Sequence, residues 1–287
     1  MLSNLWFDSG QTNSIDFKKY VTKTNVEEFI EKGVTVLHQV IDHLLIDKLL
    51  ETMNDTKFLS RDDIFSSYGQ TIKPIKDIEI DIPLTKLLDL YVKVDCASEL
   101  LCCDAIKEFL EIMFSEKAKL FQSLYFKKGS TQSLHQDPTY VVIDEYPHNL
   151  IASWIALEDV KEGSGELVYI EGSHRKLIFR YKNNKIHWNV EDGHELHNHH
   201  LYCLQEMAKE LSLTQYLPKK GDVLFWHAGL VHGGSPIKDH SLTRHSIVGH
   251  YCPVSCNPRY YNFDTQRYSS SKNDIETVSM YYKHIKN

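Results

Sequence analysis

Several familiar signals are missing from this chain of 287 residues. Its opening, MLSNLWFDSGQTNSIDFKKY, lacks the charged-then-apolar order of a secretory signal, and no apolar run approaches the ~18 residues that span a bilayer. The closing YYKHIKN carries no peroxisomal or retention tripeptide. A soluble, cytoplasmic protein is the simplest expectation. There is no Lys/Arg-rich run, and 32 basic against 39 acidic residues give a formal charge of -7. That balance exerts no general pull toward nucleic acid or an anionic membrane, so a small molecule or a local protein surface is the expected partner. Nothing in the sequence indicates an oligomeric state.

The six cysteines (Cys96, Cys102, Cys103, Cys203, Cys252 and Cys256) include no CxxC pair, and a chain of this size needs no disulfide framework. Reduced thiols are expected. CPVSC at 252 to 256 has no second half elsewhere that would complete a zinc site. Repeats, low-complexity tracts and linkers are also absent. What remains, 42% hydrophobic and 25% charged, is the make-up of a soluble globular protein able to bury a sizeable core.

The first hundred or so residues read as largely helical. TNVEEFIEKG predicts a helix with a capping-box spacing (Thr24 with Glu27, or Asn25 with Glu28) and a stop at Gly33. VTVLHQVI alternates like a short strand, DHLLIDKLLETMN predicts a helix capped by Asp42, and helical text continues from Pro83 to about Phe114. From Lys119 the pattern changes to short apolar or alternating runs: LFQSLYF, SLHQDPTYVVI, LIASWIAL, GELVYI, GDVLFWHAGLVHGG and RHSIVGHYCPV. Such runs, separated by turn residues, predict an antiparallel sandwich or jelly roll. An insert from about 175 to 217 interrupts them, and long inserts in compact domains commonly serve as lids or binding loops.

Within SLHQDPTY, a strand would set His135 and Asp137 on one face, an imidazole beside a carboxylate. Gln136 between them suggests no role. A metal site needs a third ligand, and the strand after Gly221-Asp222 ends in two candidates, His227 and His232. Two histidines and one carboxylate leave metal positions open, the arrangement of non-haem Fe(II) oxygenases.

These segments, in order, resemble the phytanoyl-CoA dioxygenase family of Fe(II)- and 2-oxoglutarate-dependent oxygenases: FQSLYFKKG, HQD, ASWIALEDV with GSGELVYIEGSHR, GDVLFWHAGLVHGGS, and an Arg on the following strand. The likeness covers roughly residues 119 to 251. It implies a mainly β fold with helical decoration, a double-stranded β-helix (a cupin-like jelly roll) with N-terminal helices packed on one sheet. One domain over 1–287 is expected, its helical part at about 1–118 and its core at about 119–256. The resemblance implies Fe(II) held by His135, Asp137 and His232, with 2-oxoglutarate and O2 as co-substrates. His232, followed by GGS, matches the distal histidine, and Arg244 lies near the family's usual interval beyond it. His227 would then be close behind the ligands or face the substrate.

The resemblance further assigns co-substrate contacts to Gln122, Trp154, Ser235, Arg244 and Ser246. A guanidinium suits the distal carboxylate of 2-oxoglutarate because it offers two parallel hydrogen bonds. Tyr125 could act like Trp154 or simply pack. Asp137 implies hydroxylation, since halogenating relatives have a small residue there. The expected reaction is hydroxylation of a C–H bond in a small organic substrate with release of succinate and CO2. Two alternatives are an inactive jelly-roll binding or sensor protein and a cupin-type metal enzyme that does not use 2-oxoglutarate.

Other conspicuous features carry less. Ser173 and His174 are adjacent in GSHR, so on a strand they would point apart, and the family places this segment at a turn. HELHNHH is read as a solvated loop of the insert. RKLIFRYKNNK could contact acyl-CoA phosphates, though a solvated charged loop explains the same letters. The substrate itself is not legible.

Overall fold

The computed structural model describes residues 17–69, 71–143, 148–176, 179–259 and 267–283. Most of the opening and closing stretches read above for targeting signals, and Leu177 and Ile178 of the basic insert segment, lie outside them.

The N-terminal third contributes α1 (Lys23–Lys32), β1 (Val34–Leu37), α2 (His43–Asn54), α3 (Thr56–Leu59), β2 (Phe65–Tyr68), β3 (Thr71–Pro74), β4 (Lys86–Leu88), α4 (Asp95–Leu101) and α5 (Asp104–Phe114). The remainder contributes β5 (Ala118–Phe126), β6 (Ile151–Ala156), β7 (Leu167–Tyr169), α6 (His194–Leu211), β8 (Thr214–Tyr216), β9 (Val223–His227), β10 (His232–Gly234), β11 (Ser246–Pro253), β12 (Arg267–Lys272) and β13 (Ile275–Lys283).

Several expectations hold. Asp42 caps α2 by accepting from the Leu44 N–H, and Gly33 ends α1 in the left-handed region at φ 77°. A side chain at Gly33 would also collide with the His174 ring. The cap of α1 differs from the expectation: Thr22 and Asn25 form the capping box, two residues before the Thr24 suggested by the sequence. The segment from Pro83 is not one helical run. Its leucines form β4, which pairs with β2 and β5, and Asp89 then turns left-handed at φ 47°. Sheet pairing decided this local structure over the helix propensity of leucine. The β2–β3 hairpin and the C-terminal β12–β13 hairpin lie outside the predicted elements for the same reason.

The major sheet runs β1-β9-β6-β11-β5-β4-β2-β3, with β13 added parallel to β5. A minor sheet, β10-β7-β8, faces it. Together they form the expected jelly roll, and alternation along the strands sorts the side chains. Val223 and Phe225 of β9 join Ile247 and Tyr251 of β11 in a core shared with α1, α2 and α5. Leu224 and Trp226 join Val248 and Trp154 between the sheets. Phe109 of α5 stacks on Phe225 at 4.1 Å and meets Phe29 of α1 edge-on at 5.3 Å, so the helices cover the outer face of the major sheet.

Glu108 fastens the chain entering this helical layer. Its buried carboxylate accepts the backbone N–H groups of Lys18, Lys19, Tyr20 and Val21. Burial alone would raise its pKa, but these donors outweigh it and hold the carboxyl below its ordinary value of 4.5. A depressed folded-state pKa gives stability that is present above the unfolded value and lost as pH falls through the folded one. Glu108→Gln should therefore lower the unfolding free energy by about 1–3 kcal/mol at pH 7. In urea titrations the gap from wild type should shrink once the pH falls below 4.5.

Candidate metal centre

The candidate ligands meet where a loop joins the minor sheet. His135 lies outside any strand but makes a two-way backbone pair with His232 of β10: each N–H donates to the other's carbonyl, at 2.9 and 3.0 Å. That pair sets the two imidazoles 4.3 Å apart, centroid to centroid. Asp137 opens a 3-10 turn with Pro138 at its next position, and its N–H donates to the Ala228 carbonyl. The common strand expected for His135 and Asp137 is thus replaced by a bridge and a turn, which bring both side chains to the same point. Gln136 has a role after all: its buried amide donates to the Gly229 carbonyl at 2.7 Å, holding the loop against the chain between β9 and β10.

Oδ1 of Asp137 lies 3.9 Å from His135 Nε2 and 3.6 Å from His232 Nε2. Among the described residues these three form the one group of His, Cys, Asp or Glu side chains with ligand atoms in mutual reach, all within 4.8 Å, and all three residues are buried. Both imidazoles donate from Nδ1 to a carbonyl at 2.9 Å, His135 to Ser133 and His232 to Leu230. Their tautomers are thereby set and each Nε2 carries a lone pair that could bind a metal, although that of His135 accepts from the Gln132 amide at 3.1 Å. Burial, and then the neighbouring His232, push the pKa of His135 down to about 3, which keeps it neutral.

The other carboxylate oxygen of Asp137 is also engaged, accepting from Trp226 Nε1 at 2.8 Å. Burial would raise this carboxyl's pKa, but His232, His250, His135 and the Trp226 N–H together hold it below the ordinary range. A buried set of two imidazoles and one carboxylate, with one oxygen turned inward, suits Fe(II).

The triad opens onto a cavity of about 410 Å3 between the sheets, which Gln122, Trp154 and Arg244 also line. Arg244 is buried with its guanidinium 5.5 Å from the Phe126 ring centroid and 5.6 Å from that of Trp154. Nη1 donates to the Gly165 carbonyl, whereas Nε has no hydrogen-bond partner in the protein. Burial pushes its pKa down to about 10, which leaves it protonated at neutral pH. Ser246 begins β11 two residues further on, fully buried, its hydroxyl likewise without a partner. Ser235 differs in that its Oγ donates to the Glu166 carbonyl at 3.0 Å; neither serine is among the residues lining the cavity.

His227 and Tyr125 face away from the cavity. His227 follows Trp226 on β9 and so points through the opposite face of the sheet, toward Phe29 of α1, His174 and His148. It is neither behind the ligands nor substrate-facing. Tyr125 lies in the helix-side core with its hydroxyl 2.6 Å from His245 Nδ1. Ser173 sits on the expected turn, its hydroxyl donating to the Ile170 carbonyl. HELHNHH is helix rather than loop: it forms the start of α6, and His200 within it is buried against Tyr181.

Several residues on the cavity wall escaped the sequence reading, among them His250, Tyr281 and Lys86. His250 hydrogen-bonds to Gln122 at 2.9 Å and lies 3.9 Å from Asp137. Tyr281 arrives from β13. Lys86, half-buried on β4, is close enough to His135 and His250 to disfavour their protonation. His250 and Lys86 could have been suspected from strand alternation relative to Gln122 and Ser246, but only once the pairing of β4, β5 and β11 was known.

A jelly roll with a buried His-Asp-His triad between its sheets is the architecture of the Fe(II)- and 2-oxoglutarate-dependent oxygenases. Residues 29–246, well over half of the chain, match the family model of phytanoyl-CoA dioxygenase, and the protein belongs to that family. The peroxisomal phytanoyl-CoA dioxygenase of Homo sapiens is 26% identical over 158 residues, 55% of this chain and 43% of the human protein. That of Mus musculus is 28% identical over 131 residues, 45% and 36% of the two chains. The match thus spans less than half the length of these relatives.

Solved structures share the fold. The non-haem α-ketoglutarate-dependent carbocyclase SnoK of nogalamycin biosynthesis superposes with a TM-score of 0.64 at 16% identity, covering 83% of this chain and 87% of its own. EctD from S. alaskensis, crystallised with 2-oxoglutarate and 5-hydroxyectoine, gives 0.63 at 16% identity, covering 91% and 90%. The epimerase SnoN, crystallised with Fe3+ and α-ketoglutarate, gives 0.60 at 16% identity, covering 83% and 85%.

Anaerobic Fe(II) titration tests these assignments. Trp226→Phe should weaken binding roughly 10- to 100-fold by releasing the outer oxygen of Asp137. His232→Ala should abolish binding, while His227→Ala should leave it within a few-fold of wild type.

Proposed function

We propose that this protein is an Fe(II)- and 2-oxoglutarate-dependent dioxygenase that hydroxylates a C–H bond of a small organic substrate, releasing succinate and CO2. One observation carries the reading: the triad, with its Nδ1 atoms spent on backbone carbonyls, shares a cavity with the unsatisfied Nε of Arg244, and the unpaired Ser246 hydroxyl lies two residues further along the chain, at the start of β11. Buried polar atoms without partners are costly, and a bound carboxylate relieves the cost.

His135, Asp137 and His232 would hold the iron, which with 2-oxoglutarate and O2 supplies the oxidising power for C–H hydroxylation. Arg244 and Ser246 bind the distal carboxylate of the co-substrate, with Trp154 and Phe126 keeping the guanidinium in plane. Lys86 adds a second cation on the metal side of the cavity, matching the second negative charge of 2-oxoglutarate. Gln122, its amide oxygen bonded to His250, presents its N–H side to the co-substrate and to Tyr281. The surrounding apolar side chains exclude water and strengthen each of these contacts. Asp137 fills the ligand position that a halogenating relative would leave open.

Intact ligands together with the buried cation favour this reading over an inactive binding protein of the same fold. Arg244 disfavours a cupin-type enzyme working without 2-oxoglutarate. No helix among the described residues is long and apolar enough to cross a membrane.

Anaerobic addition of Fe(II) and 2-oxoglutarate should produce a weak visible charge-transfer band. His135→Ala should remove it, and Arg244→Ala should raise the 2-oxoglutarate concentration required by roughly 10- to 100-fold. No band and no succinate from wild type would reject the proposal.

A further inference from the structure

The same cavity has a second half that neither the metal nor the co-substrate accounts for, and its chemistry is different. Once Asp137, Arg244 and Lys86 are assigned, no charged side chain remains on the described wall. The rest is apolar or neutral, notably Ile72, Tyr140, Val141, Trp188 and Tyr281. Among the neutral polar groups, Ser67 stands out. It is buried and directly opposite Lys86 across β2 and β4, with its hydroxyl lacking any partner in the protein.

The aromatic members form a wall leading outward from the iron site. The Tyr140 ring lies 5.6 Å from that of His135, and its hydroxyl hydrogen-bonds with His197 Nε2 of α6 at 2.8 Å. The His197 ring is 4.5 Å from that of Trp188. Trp188 is itself held at both ends, its backbone N–H donating to the Thr139 carbonyl and its indole N–H to the Gly193 carbonyl. The insert from about 175 to 217 therefore builds half of this wall and ties it to the loop that carries two of the metal ligands. Tyr140 nevertheless remains 42% exposed. An open aromatic face inside a concave, rigidly held site is a stacking platform for a ligand.

Resting on the oxygenase reading above, we propose that the substrate is an uncharged, ring-bearing molecule with a hydroxyl or carbonyl group. It stacks on the Tyr140–Trp188 wall, with its polar group hydrogen-bonded to Ser67. A charged substrate is selected against because its charge would be desolvated without a partner. An acyl-CoA is disfavoured on the same ground, since its phosphates would meet no cation on the described wall beyond Lys86 and Arg244.

The test is calorimetric titration of the anaerobic protein loaded with Fe(II) and 2-oxoglutarate, using 2-naphthol, 2-naphthoate and benzoyl-CoA as probes. Binding requires no turnover, and the charge-transfer band reports separately whether the iron site has formed, so failure of the oxygenase reading is distinguishable from failure of this one. The expected result is that 2-naphthol binds at least tenfold more tightly than either anion. Trp188→Ala and Tyr140→Leu should each weaken it about tenfold with the band retained, and Ser67→Ala should weaken it several-fold. Tighter binding of 2-naphthoate that is lost in Lys86→Met would make Lys86 a substrate cation and overturn the proposal. So would tighter binding of benzoyl-CoA, no binding of 2-naphthol, or unchanged affinity in Trp188→Ala.

Discussion

The site depends on one short piece of backbone pairing. His135 and His232 lie 97 positions apart in the chain, and the two hydrogen bonds between their backbones bring them side by side. A loop at this position would ordinarily be free to move, and each imidazole would sample several directions. The pairing anchors one end of the loop, Asp137 N–H to the Ala228 carbonyl anchors the other, and Gln136 clamps the middle. With the backbone held at three points, Nδ1 hydrogen bonds to Ser133 and Leu230 orient the rings. Ligand geometry is built mainly from main-chain contacts, which are less sensitive to side-chain replacement than a packed aromatic cluster.

Around this anchor the major sheet performs two separate tasks. Its outer face buries Phe225, Ile247 and Tyr251 against α1, α2 and α5, supplying much of the apolar burial that stabilises the fold. At its inner face lie buried polar atoms that have no protein partner, notably Nε of Arg244 and the Ser246 hydroxyl. Such groups cost stability, and the helical layer on the opposite face offsets that cost. The neighbouring positions of β9 show the division plainly: Trp226 hydrogen-bonds the Asp137 carboxylate of the triad, while His227 packs under a helix.

The insert and the C-terminal hairpin complete the cavity from outside the core strands. Trp188 and His197 come from the insert, and Tyr281 comes from a strand beyond residue 246, where the family match ends. The half of the cavity lined by Arg244, Gln122 and the triad is built by the jelly roll itself. The proposed substrate wall thus combines residues of the insert and the C-terminal hairpin with Ser67 of the major sheet and Tyr140 beside the triad loop.

Much of this was legible in the sequence. Strand alternation from Lys119 onward, the HQD and HGGS segments and the placement of Arg244 are local patterns, and side-chain periodicity along a strand is a property of the backbone itself. The Asp42 and Gly33 stops of the N-terminal helices are local for the same reason. Other features depended on partners distant in the chain. The leucines after Lys86 read equally well as helix until β2 and β5 flank them. The choice between two histidines five positions apart turned on which face of β9 meets α1, and Gln136 gained a role only because Gly229 approaches it. Local letters carried the strand alternation and the set of candidate ligands, with both His227 and His232 among them. The tertiary structure alone decided which faces met, because strand pairing and packing between segments distant in the chain leave no periodic trace in either segment.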